Sequence, residues 1–95
     1  MIIVLFDKIG SFAENKDIAR DLRVNEIIPA LEKKEEIIID FKGVDSVTQS
    51  FIHALISDLI RQESLKVLDK VFFKNCNEKI KKIISIVVDY MQESL

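Results

Sequence analysis

Ile37-Ile38-Ile39-Asp40-Phe41-Lys42-Gly43-Val44-Asp45-Ser46-Val47-Thr48-Gln49-Ser50-Phe51 is the stretch that decides the fold. Its opening is β-branched and nearly continuous in apolar character, which predicts a strand covered on both faces in a parallel sheet. Gly43 ends that run. Ser46-Val47-Thr48-Gln49 has the spacing of a capping box and predicts a helix running to about Gln62. On a wheel of about 100° per residue, Phe51, Ile52, Leu55, Ile56, Leu59 and Ile60 fill one half of that helix, its core face. Ser50 falls on the polar side, in a stripe with His53, Ser57 and Arg61.

Toward the N-terminus, Ile2–Phe6 reads as a short buried strand and Gly10 as punctuation. Ser11-Phe12-Ala13-Glu14 repeats the capping-box spacing before an apolar face of Ile18, Ala19 and Leu22. That pattern slips near Val24–Glu26, and Pro29 lacks the amide a helix interior needs. A kink or break is expected there, with a short second piece ending near Lys33. Toward the C-terminus, Lys70–Lys74 reads as a third strand. Asn75-Cys76-Asn77-Glu78 then opens a last helix ending near Met91. Strand and helix thus alternate three times, the mark of right-handed βαβ crossovers. The expectation is one α/β domain over residues 1–95, with a three- to five-stranded, mostly parallel sheet flanked by helices. Functional groups in such folds gather where strands end and helices begin, which selects the turns Asp40–Phe51 and Lys74–Glu78.

Composition narrows the function. Lys and Arg are interleaved with Asp and Glu, and the net charge is −2. Capture of DNA or RNA needs concentrated positive charge, so the balance argues against nucleic acid. The cluster Lys79, Lys81, Lys82 reads as a solvated helix face. An alternative of another class remains, a nucleotide- or nucleic-acid-binding module using Lys70, Lys74, Lys79 and Lys82. Cys76 is the single cysteine, which predicts no intramolecular disulfide and no metal site and fits a reducing compartment. The N-terminal apolar run is too short for a signal peptide or a membrane span, so a soluble, cytoplasmic protein is expected. The two glycines are isolated and form no phosphate-cradling loop, so no cofactor is expected.

His53 lies three residues after Ser50, but a catalytic Ser–His pair also needs an orienting acid and an oxyanion pocket. Asp58 points to another part of the wheel, and no enzyme activity is expected. Ser50 is better placed for modification. The start of a helix favours an anion, and a phosphate there would add about −1.5 to −2 charges to the polar stripe. Asp40, interrupting an apolar strand, reads as the carboxylate that holds the following turn. In the last helix Ile80, Ile83, Ile84, Val87 and Met91 make a core stripe, which Ile86, Val88 and Tyr90 widen. That excess is explained either by deep flanking or by another chain, as in a homodimer through this helix.

The segment from Ile37 to Phe51 resembles the signature of STAS domains, among them the bacterial anti-sigma-factor antagonists. There the strand, turn and helix read roughly Asp-Leu-x-Gly-Val-x-x-x-Asp-Ser-Ser-Gly. It is more similar to a branch of STAS-like bacterial domains of unknown function whose turn reads Val-Thr-x-Ser-Phe. Ile28-Pro29-Ala30-Leu31 and Phe73-Lys74-Asn75-Cys76-Asn77 also look like that branch. The resemblance implies a partner-switching module, in which a kinase-like anti-sigma factor phosphorylates the second serine of the turn and the phosphate breaks the complex. Ser50 occupies that position. Gln49 stands at the preceding serine, Thr48 at the acidic residue and Phe51 at the glycine. The resemblance thus implies a kinase-like ATPase as partner. Its docking surface would comprise Asp45, Ser46, Thr48, Gln49 and Ser50, with His53, Ser57 and Arg61 alongside.

Overall fold

Three short strands, β1 (Ile2–Val4), β3 (Ile37–Asp40) and β5 (Val71–Lys74), form a parallel sheet in the order β1-β3-β5. The computed structural model describes residues 1–94. Between β1 and β3 the chain forms α1 (Leu5–Ile9), β2 (Phe12–Ala13), α2 (Lys16–Leu22), a π-helical turn (Arg23–Ile27) and α3 (Ile28–Glu32). After β3 come β4 (Ser46–Val47), which pairs in parallel with β2, and α4 (Gln49–Glu63). A 3-10 turn (Leu65–Asp69) leads into β5, and α5 (Glu78–Ser94) closes the chain. The expected α/β architecture and mostly parallel strands are present.

Helix α4 is the hub, packed between α2 and α5. Phe51, Ile52, Leu55, Ile56, Leu59 and Ile60 are all buried, as their spacing requires. In α5 the stripe Ile80, Ile84, Val87 and Met91 is buried, while Ile83 and Val88 pack at its borders. The apolar excess of that helix therefore divides: Val88 joins the core, and Ile86 and Tyr90 face outward.

Several local expectations change. The first strand stops at Val4, and Leu5–Ile9 coils into a short helix closed by the Gly10 amide donating to the Phe6 carbonyl (2.8 Å). Ser11 caps no helix. Its carbonyl accepts the amides of Asp45 (2.8 Å) and Ser46 (3.3 Å), and the residues after it become β2. The true cap of α2 is Asn15, whose side chain accepts from the Asp17 and Ile18 amides. Ser46 is likewise drawn into β4, so Thr48 becomes the cap of α4. In both places a long-range strand pair outcompetes a local cap, since it satisfies several backbone groups together.

The kink or break anticipated before Pro29 takes the form of a widened turn, and the short second piece ends at Glu32. The Ile28 amide donates to the Arg23 carbonyl, five residues back. Pro29 then falls in the first turn of α3. The helical path continues and Arg23 fastens it: the guanidinium donates to the Ala54 carbonyl and lies 3.1 Å from Asp58, with the side chain 11% exposed.

Strand β3 is not covered on both faces. Ile37 and Ile39 are buried under the helices, whereas Ile38 and Asp40 point to a face that nothing covers among the described residues. The cause is topological. β1 to β3 and β3 to β5 each step one place in the same direction, and right-handed crossovers then put both connections on the same side.

Candidate functional site

The carboxyl ends of β3 and β5 carry two turns that the structure ties together. Asp40 Oδ1 accepts the Lys42 amide (2.9 Å) and the Asn75 side-chain amide (2.8 Å). Asn75 has φ +58°, a left-handed conformation that asparagine tolerates better than most residues. Two residues on, Asn77 Nδ2 donates to the Asp45 carbonyl (2.7 Å) while its Oδ1 accepts the Ile80 amide and starts α5. The two turns selected from sequence are thus one bonded unit. Asp40 does hold its turn, but the role of Asn75 and Asn77 as cross-links was not legible; their only signal was a pair of asparagines at a strand end.

Asn75 and the Lys42 amide hold the Asp40 carboxyl below its ordinary value of 3.8, with smaller help from Lys42 and Lys74. A carboxylate whose folded pKa is depressed contributes stability above its unfolded pKa. That contribution is lost as pH falls through the folded value. Denaturation midpoints are therefore expected to show an Asp40-dependent decline only below about pH 4. Asp40→Asn should remove that part of the decline; superimposable pH profiles for the two proteins would show that the carboxylate does not hold the turn. Burial raises the Cys76 thiol, against the opposing charge of Lys81, so it stays protonated at neutral pH.

From this unit the chain enters α4. Thr48 Oγ1 accepts the Phe51 amide (3.1 Å), so the residue at the resemblance's acidic position serves as a cap. Phe51, at the glycine position, turns wholly inward, and its ring is not in the path of anything approaching the helix start. Asp45, Gln49 and Ser50 are exposed, and Ser46 is half-buried. Ser50 opens onto a hollow of about 560 Å³ lined by Lys16, Gln49, His53 and Ala54. A smaller hollow continues past His53 to Arg20, Asp58 and Arg61. The His53 and Tyr90 rings stand 6.2 Å apart, which carries α5 to the border of this surface.

One residue leaves the expected stripe. Ser57 is 2% exposed, because α4 is packed on both flanks, and it offers almost no surface beyond its edge of the smaller hollow. Arg61 is exposed and paired with Asp58 (3.0 Å), which also holds Arg23. Lys16 and Arg20 have no ion-pair partner among the described residues, so the hollow beside Ser50 is left with cations to spare. Lys16 was not singled out by sequence, because only the fold sets α2 beside the start of α4. The lysines of the alternative reading do not converge: Lys74 ends β5 at the site, whereas Lys70 precedes β5 and lines a separate cleft with Ile28, Leu31 and Val67. Among the described residues no group of three or more His, Cys, Asp or Glu side chains could hold a metal ion. No helix there is long and apolar enough to cross a membrane.

A family model described as a STAS-like domain of unknown function (DUF4325) matches residues 19–81. The chain belongs to this family. The matched span of the STAS-like domain runs from α2 to the first turn of α5 and takes in the whole Asp40–Phe51 segment. No curated protein and no solved structure matches the chain.

Proposed function

We propose that this STAS-like domain is a non-enzymatic regulatory adaptor that docks a protein partner, a kinase-like ATPase, on the start of α4. The surface consists of Asp45, Ser46, Thr48, Gln49 and Ser50, with His53 and Arg61 beside them, and Ser50 is its phosphoacceptor. One observation carries the reading: Ser50 is exposed in the first turn of α4, beside a hollow lined by Lys16. A phosphate at that point would meet the unpaired N–H groups of the helix start and an ammonium free of other carboxylates. It would also reverse the local charge that a partner sees. Phosphoryl transfer to the Ser50 hydroxyl needs access, and the inward turn of Phe51 leaves that access open.

The test is titration calorimetry of a kinase-like ATPase against the wild type, Ser50→Ala and Ser50→Asp. The alanine variant should bind like the wild type, and the aspartate variant at least about tenfold more weakly, about 1.4 kcal/mol. Equal affinity for all three would remove the switch. Unchanged affinity in Asp45→Lys and Gln49→Arg would remove the docking surface as well.

A further inference from the structure

The face of the central sheet away from the helices carries a row of apolar side chains in register: Ile2 beside Ile38 beside Phe72. Ile2 is 64% exposed and Phe72 is 40% exposed, while the neighbours Ile3, Ile37 and Val71, pointing the other way, are buried. Parallel sheets almost always have both faces covered, because their strands are apolar on both sides. Here the two crossovers lie on one side, and the opposite face is bare among the described residues. The next row holds Val4, Asp40 and Lys74, again in register, with Val4 39% exposed. An acid on the middle strand thus stands next to a lysine on the edge strand.

That charge order distinguishes the possible occupants. We infer that this bare face docks a second copy of the chain, sheet against sheet, about a two-fold axis parallel to the strands and lying between β3 and β5. Such an axis sets Ile38 against the partner's Phe72 and Asp40 against the partner's Lys74, and symmetry repeats both contacts. Ile2 lies at the rim, diagonal to the partner's Phe72. An axis centred on β3 would instead bring the two Asp40 carboxylates together, so charge selects the offset. Packed sheets sit about 10 Å apart with strands aligned to within about 30°, which this geometry satisfies. The two rows supply six side chains from each copy, against about 20–30 residues a side in a standard interface, so the dimer is weak and concentration-dependent. It leaves α4, on the opposite side of each sheet, outward-facing and presents two copies of the Ser50 surface.

Sedimentation velocity from about 10 µM to 1 mM tests it. The wild type should shift from monomer to dimer across that range, and Phe72→Glu should stay monomeric while keeping its far-ultraviolet circular dichroism. Lys74→Glu alone and Asp40→Lys alone should each be monomeric, since both reciprocal contacts become like-charged. An equimolar mixture of the two should dimerise, because both contacts are then restored between unlike chains. A wild type that is monomeric throughout overturns the inference. So does a dimer that survives Phe72→Glu but is lost in Ile86→Glu, which would assign it to α5. If Asp40→Lys does not fold, the Phe72→Glu and Lys74→Glu proteins still decide.

Discussion

Replacing Phe51 with alanine is expected to cost about 3–5 kcal/mol, the range for removing a buried aromatic ring. Phe51 is among the largest fully buried side chains of the molecule and lies in the first turn of α4, where that helix meets the core. Alanine keeps the backbone amide that donates to Thr48, so the cap survives and the loss is that of the ring and the cavity it leaves. A domain of this size has about 5–15 kcal/mol of stability in total. Urea denaturation followed by circular dichroism should therefore show a midpoint lowered by about 1–5 M, or a protein largely unfolded without denaturant, given a slope of about 1–3 kcal/mol per molar. A cost below about 1 kcal/mol would mean that the ring is not an anchor of the core. In other branches of the resemblance this position is a glycine. Here the chain spends it on packing, and the hydroxyl one residue earlier stays free for contact.

Gly43→Val is the second large effect, on the order of 3 kcal/mol. The Val44 amide donates to the Phe41 carbonyl (2.9 Å), and Gly43 takes φ +87° at the third position of that four-residue turn. Such a turn needs a positive φ there, which β-branched residues adopt at high cost. Space is also short, since a Cβ at Gly43 would stand 3.0 Å from Phe6 Cδ2. The two causes separate in a double-mutant cycle of Gly43→Ala with Phe6→Ala. Removing the ring should recover the steric part and leave about 1–2 kcal/mol for the backbone. If Phe6→Ala recovers nothing, the ring yields freely and the conformational cost acts alone.

What could be read from the chain was the part governed by local periodicity. The six buried positions of α4, the strands near Ile37–Asp40 and Val71–Lys74, and Ser50 outside the core face all follow from side-chain direction repeating along one element. The placement of Asp45, Gln49 and Ser50 was legible to the same extent: they lie at a strand-to-helix junction and are exposed. Ser57 was misplaced because a wheel shows one helix alone, and burial on its polar flank depends on α2 and α5.

Tertiary structure decided the rest. Residues 12–13 and 46–47 carry no strand signal of their own; each is extended because the other is, through the Ser11 carbonyl and the bond from the Thr48 amide to the Ala13 carbonyl (3.0 Å). That pairing moved both helix caps from Ser11 and Ser46 to Asn15 and Thr48. The bare sheet face has the same origin. The sequence by itself determined that Ile2, Ile38 and Phe72 are apolar strand residues. Only the direction of the two crossovers left them without a covering layer among the described residues, because handedness places a whole connection on one side of a sheet and no single residue encodes it.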